Sequence, residues 1–354
     1  GPSATAKEIL DHATTKLGEA KEQPLLQASL LMTCSEIYGG MGLFDAAEPL
    51  ARRALEIREA ALGPSHPDVA QSLDNLASIW GRQGKLAEAE TLARRGLEIR
   101  EKALGPDHPD VAQSLNDLAV ICWNRGKLVE AERLLGRSLE IREKALGPSH
   151  RDVATSLNNL ATLYADQRDF AKAEPLYRRS LEIWERTLGP SHPDVASSLN
   201  NLATLYADRG ELARAEPLLE RSLEIREEAL GSDHPDVAMS LNNLADLLCD
   251  QGKLAEAEST FRRSLAIKEK ALGPNHPDVG LALYNLGVVA LKRERRSEAL
   301  AYMRRAVPRF VGTSYWKALV EEDPDIGALR ADGEFRKIVA EALKSGAAGE
   351  EGEK

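Results

Sequence analysis

Six of the seven histidines, His66, His108, His150, His192, His234 and His276, stand 42 residues apart. An array of imidazoles suggests metal ligation, and the paired Glu of the AEAE and EIRE stretches suggest acid/base chemistry. The spacing argues against both. Packed helices lie roughly 8–10 Å apart, so histidines one hairpin apart are well separated. Zinc needs each ligand nitrogen within about 2.0–2.1 Å of one ion. These histidines are therefore read as structural residues beside a helix cap, His12 stands alone, and neither a metal nor a cofactor is expected. The Glu residues read as a solvated, salt-bridged convex face. Phosphate-loop, nucleophile-elbow and zinc-protease motifs are absent. No catalytic residue is assigned, and an enzyme is not expected.

The elements that carry these residues follow from the period. The string Leu-Gly-Pro-x-His-Pro-Asp-Val returns with its Gly at Gly63, Gly105, Gly147, Gly189, Gly231 and Gly273. A variant of LNNLA follows each time, then a G-K-L-A-E-A-E-like stretch, then SLEIREKALG. A more divergent copy with Tyr38, Gly42 and Ala47 precedes them, giving seven copies. Within one copy, Leu157, Leu160, Ala161 and Tyr164 share one helical face, and Ala173, Tyr177, Leu181 and Ile183 share another. Each copy is thus a helical hairpin. The Gly is expected at the left-handed position after the second helix. Ser65, Asp107, Ser149, Ser191, Asp233 and Asn275 are expected as N-caps of the next helix, with an Asp three residues on completing a capping box.

One hairpin cannot bury its apolar face alone, so copies must stack into an all-α solenoid. Composition agrees. The 354 residues are 43% apolar, 29% charged and only 5% aromatic, with a formal charge of −10. The acidic balance disfavours nucleic acid as a partner, and no apolar run is long enough for a membrane span. Cys34, Cys122 and Cys249 are widely spaced and odd in number, as expected of reduced thiols in a cytoplasmic protein.

The pattern Leu160-Ala161-x-x-Tyr164, a turn, then Ala173, Tyr177 and Ser180 resembles the tetratricopeptide repeat. The 42-residue period and the Gly-Pro-x-His-Pro-Asp loop are similar to kinesin-light-chain-type repeats. The resemblance implies a right-handed superhelical solenoid over residues 25–310. Residues 1–3 read as a tag remnant, 4–24 as an N-terminal capping helix, 311–345 as C-terminal capping helices, and 346–354 as a disordered acidic tail.

In such arrays the first helices line the concave face. Helical pitch places Asp74, Asn75, Ser78 and Arg82 of one repeat there, then Asn116, Asp117, Val120 and Asn124 of the next. Asparagine is poor within helices, so its recurrence in mid-helix needs a cause. The resemblance implies that the Asn before the Leu-Ala pair contacts the backbone of a bound peptide, which carries over to Asn75, Asn159, Asn201, Asn243 and Asn285. Asn116, Asn158, Asn200 and Asn242 are the second candidate set. The alternative is that one Asn of each pair bonds between adjacent helices and holds the stack. Asp166, Asp208, Asp246 and Asp250 replace the basic residues with which relatives grip acidic ligands, so a partner bearing Lys or Arg is expected. Tyr284, with Leu281 and Val288, is expected to form an apolar pocket near the C-terminal end.

The sequence therefore reads as a monomeric scaffold or adaptor that captures a partner's peptide segment. Two alternatives stay open: a regulatory module of a larger kinase or ATPase, and a self-assembling structural solenoid.

Overall fold

A computed structural model describes Thr14, residues 23–313 and residues 315–351. The N-terminal capping helix expected over 4–24 falls almost wholly outside the described residues. Seven helical hairpins follow among the described residues. Their helices are α1 Pro24–Gly40 and α2 Phe44–Leu62, α3 Pro67–Arg82 and α4 Leu86–Leu104, α5 Pro109–Asn124 and α6 Leu128–Leu146, α7 Arg151–Asp166 and α8 Phe170–Leu188. Then come α9 Pro193–Asp208 and α10 Leu212–Leu230, α11 Pro235–Asp250 and α12 Leu254–Leu272, α13 Pro277–Lys292 and α14 Arg296–Ala306. A 3₁₀ turn Val307–Phe310, a π-helical segment Trp316–Glu322, a 3₁₀ turn Pro324–Ile326, α15 Gly327–Arg330 and α16 Gly333–Glu351 end the chain. The backbone of residues 346–351 continues the last helix, where a disordered tail was expected. Its two alanines are the strongest helix formers, and no proline interrupts it.

The chain divides into two compact units, one running to Ile183 and one from Trp184 onward. In the first, Val111, Leu115, Leu118, Leu135 and Leu163 form a buried seam between hairpins. Fully buried Ala119 and Ala131 let the helices approach closely. In the second, Phe261, Leu283, Val289 and Met303 belong to a core that continues into Phe310, Val320, Ile326, Phe335 and Ile338.

The starts of the six later first helices, α3, α5, α7, α9, α11 and α13, differ in one respect from the sequence expectation. The N-cap is the histidine, not the Ser, Asp or Asn ahead of it. Each His Nδ1 accepts a hydrogen bond from the backbone N–H two residues on, as from Asp110 to His108 at 3.1 Å and from Asp194 to His192 at 3.2 Å. Proline follows the histidine in five of these six helices and favours extended backbone before it. His150 takes the same extended backbone and the same cap with Arg151 at that position, so the imidazole cap does not depend on proline.

The glycines after the second helices also differ in detail. Gly147 has φ 86° and ψ 156°, as its equivalents nearly do, which is the mirror-extended region rather than left-handed helix. Only glycine occupies that region readily. The left-handed glycines sit instead in the turn within each hairpin, where Gly84, Gly126, Gly210 and Gly252 have φ of 75–79°. At two of the equivalent turns the residue is Arg168 (φ 59°) or Glu294 (φ 60°). A side chain there costs about 1 kcal/mol relative to glycine. Arg168→Gly is therefore expected to stabilise the first unit by about that amount, read as a raised thermal midpoint.

Candidate functional site: the first-helix face

At four repeats the second Asn serves the stack. Asn159 Nδ2 donates to Asn116 Oδ1 at 2.9 Å, and Asn75 Nδ2 to Ser35 Oγ at 3.3 Å. In the second unit Asn243 donates to Asn200 at 2.9 Å and Asn285 to Asn242 at 3.3 Å. An amide in mid-helix is thus retained because it ties one hairpin to the next. Asn116 and Asn200 are nearly buried, whereas Asn75, Asn158, Asn159, Asn201, Asn242, Asn243 and Asn285 are half-buried. A ladder amide keeps spare capacity: Asn159 Oδ1 has no hydrogen-bond partner among the described residues. An amide can serve the stack with its N–H and still offer its carbonyl oxygen to a ligand.

The acidic positions divide between the units. Asp166 and Asp208 are exposed at the ends of α7 and α9. Asp246 and Asp250 share a cavity of about 190 Å³ with Asn285, Val288 and Lys292. Asp323 and Asp325, from the segment after Phe310, close its far end. Four carboxylates thus surround one lysine, which pairs with Asp325 at 3.1 Å. Asp246 is exposed, although the walls of the cavity crowd its carboxyl. That crowding and the charge of Asp250 push its carboxyl up to about 7, although Asn242 donates to it at 3.0 Å.

Tyr284 is not open to a partner. It is 2% exposed, stacks edge-on to Phe310 at 6.2 Å, and its hydroxyl reaches Asp323 Oδ2 at 2.7 Å. The apolar pocket expected around it is filled by the protein's own C-terminal segment. Period analysis could not anticipate this, because that segment lies outside the repeat.

In the first unit a second cavity of about 180 Å³ lies between α3 and α5. Asp74, Ser78, Arg82, Asp117, Val120 and Asn124 line it. All six are first-helix positions that pitch alone places on one face.

Two polar systems escaped the sequence reading. The Arg of EIRE is buried, at 6% exposed for Arg58 and 3% for Arg142 and Arg226. Arg142 donates to Asp152 O at 3.0 Å and Ser156 Oγ at 2.8 Å, and so pins its hairpin to the following one. Arg226 does the same to Asp236 O and Ser240 Oγ. Glu90 and Glu258, placed by sequence on the solvated face, are each 5% exposed. Burial alone would push the Glu90 carboxyl up, but Lys127, Arg94 and Arg125 together hold it at about 2. Glu90, Glu130 and Cys122 lie close enough to suggest a metal site. The three cations already satisfy the carboxylates, so the cluster is an ion-pair knot. The 42-residue recurrence of the buried charges was visible, but their depth was not.

Repeated helical pairs joined by a polar ladder define an all-α repeat protein of the kind that serves as an interaction module. The tetratricopeptide repeat family model matches residues 26–102, 79–144, 118–183, 152–228, 194–270 and 236–310. The chain belongs to the tetratricopeptide repeat family. Kinesin light chain-like structures are among those it resembles. One is BtubC (BKLC) from P. vanneervenii, 26% identical with a TM-score of 0.52, over 66% of this chain and 91% of that one. Another is a substituted form of a putative kinesin light chain with nearly identical TPR-like repeats from Podosopora anserina. It is 29% identical with a TM-score of 0.50, over 58% of this chain and 98% of that one. Nephrocystin-3 of Mus musculus is 46% identical over 59 residues, which are 17% of this chain and 4% of that protein. The match therefore spans a small fraction of nephrocystin-3. No described helix is long and apolar enough to cross a membrane.

Proposed function

We propose that the first-helix face captures an extended segment of a partner protein, and that the segment carries Lys or Arg. One observation carries this reading: Asp246 and Asp250, read from sequence as groove residues, line one cavity with Asn285 and leave it with excess negative charge. Desolvation and, after it, the charge of Asp250 raise Asp246, and a cationic side chain entering there would offset both. Ladder carbonyls such as that of Asn159 would accept from the segment's main-chain N–H groups. The module acts as a non-enzymatic adaptor. Its three unpaired cysteines fit a reducing, cytoplasmic setting. The burial that pushes the thiols of Cys122 and Cys249 up to about 11 leaves them unreactive.

The test is fluorescence anisotropy with a labelled, extended Lys/Arg-containing decapeptide and its Glu-substituted counterpart. Saturable binding of the basic peptide alone is expected. The Asp246→Asn/Asp250→Asn double variant is expected to weaken it about fivefold, or about 1 kcal/mol. Affinity is also expected to rise from pH 6 to pH 8 as Asp246 ionises through about 7. Equal binding of the acidic peptide, or an unaffected double variant, overturns the reading.

A further inference from the structure

The second hairpin shows what the stacking face of a first helix touches. In α3, the Ser72 hydroxyl donates to Met32 Sδ at 3.4 Å and accepts from Arg58 at 3.0 Å, and Asn75 donates to Ser35 at 3.3 Å. Ile79 is 3% exposed in a cluster with Tyr38, Ala47 and Ala51. All these partners belong to the hairpin before.

Forty-two residues earlier, the same positions of α1 are Leu30, Thr33 and Ile37. All three are exposed, Leu30 at 41% and Ile37 at 43%. Leu26, one turn before Leu30, is 53% exposed. Leu26, Leu30, Thr33 and Ile37 stand at spacings of four, three and four, which makes a single stripe along the helix. Two of its positions have changed type. Leu26 stands where α3 has Asp68, and Leu30 where α3 has Ser72. The exposed face of α1 is thus more apolar than the buried face it corresponds to. A contiguous apolar stripe of this kind marks a surface that another element covers.

The sequence ahead of α1 supplies a complement. Ala6, Ile9, Leu10, Ala13 and Leu17 stand at spacings of three, one, three and four, so at about 100° per residue they share one side, with Lys7, Glu8, Asp11 and Thr15 opposite. Thr14 is the one described residue of this stretch, and it is helical and half-buried. Its position lies about 80° from the middle of the apolar side, on the flank that a covering contact partly shields. Ala6 to Leu17 and Leu26 to Ile37 span equal lengths of chain, about 17 Å each at helical rise. Residues 18–23 leave a connection of a length usual between antiparallel helices, and Gly18 opens it.

We propose that residues 4–22 cover the stacking face of α1, with Ile9, Leu10 and Leu17 packed on Leu26, Leu30 and Ile37. Burial of the two apolar stripes drives the contact. The short connection holds them together at an effective concentration of about millimolar, against which a second copy or another protein competes poorly. The first hairpin thereby gains the apolar cover that the second obtains from the first. This cover is independent of what the first-helix face binds.

Photo-cross-linking of the full chain tests this without a variant. Isotope-labelled and unlabelled copies, both carrying photo-leucine, are mixed, irradiated and read by mass spectrometry. Links from Leu10 or Leu17 to α1 within one copy are expected. Such links only between labelled and unlabelled copies would assign the cover to a second copy. No link from residues 4–22 to α1 would leave the face to another protein. Either result overturns the proposal. Hydrogen exchange then compares the parent with Ile9→Asp/Leu10→Asp. Amides of α1 are expected to exchange at least about tenfold faster in the variant, and those of α5 at the parent rate. Unchanged exchange in α1 also overturns the proposal. Cross-linking decides alone if the variant does not fold.

Discussion

Glu90→Gln is expected to destabilise the first unit by about 2 kcal/mol at neutral pH. Glu90 is 5% exposed and accepts from Arg94 at 2.6 Å, from Lys127 at 2.8 Å and from Arg125. An amide of equal size keeps the shape but leaves Lys127 and Arg125 without their counter-charge and Arg94 with Glu130 alone. Those cations are 31–43% exposed and can partly rehydrate, which keeps the loss below the range of about 3–5 kcal/mol typical of a fully buried broken pair. The pH dependence has a definite sign. The Glu90 carboxyl is held at about 2 in the folded protein against an ordinary 4.5. Its stabilisation is therefore fully present above about pH 4.5 and disappears as pH falls toward 2. Thermal unfolding of parent and variant at pH 7, 4.5 and 2.5 should show a gap that closes with acidity. A gap independent of pH would mean that the lost contact was not ionic.

Phe310→Ala is expected to cost about 3–5 kcal/mol in the second unit. Phe310 is fully buried, with Tyr284 at 6.2 Å and Tyr315 at 5.9 Å between ring centres. It joins the last hairpin to the segment that covers Tyr284. Removing the ring opens a cavity at that joint. Release of the C-terminal segment should precede unfolding of the hairpins, because a repeat contacts chiefly its neighbours. Trp316 fluorescence reports the first event and far-ultraviolet circular dichroism the second. Coincident transitions, or a loss below about 1 kcal/mol, would show that Phe310 does not anchor the segment.

Period and residue type were sufficient to identify the hairpins, the turns and the face on which Asp74, Asp117, Asp246 and Asp250 lie. That is because a 42-residue repeat of apolar positions at helical spacing permits one way of burying them, by stacking. The ladder positions were also legible, since an Asn in mid-helix demands a partner. Which partner was not legible. Asn159 bonds Asn116 across a repeat boundary, and sequence gives no distance between residues 43 apart.

Similarly, sequence marked the histidine loop as structural, but only the folded backbone showed that His108 and its equivalents, rather than the residues ahead of them, are the caps. It showed Arg142 and Glu90 as charged, and charge predicts solvent. Tertiary packing buried them, because each finds enough hydrogen-bonding partners on the adjoining hairpin. Tyr284 was placed on the correct helix and the wrong side of the protein surface, since its covering comes from residues beyond the period. Local periodicity thus determined the elements and their faces. Contacts between hairpins and with the non-repeating end decided which polar groups are buried, because burial depends on neighbours distant in the chain.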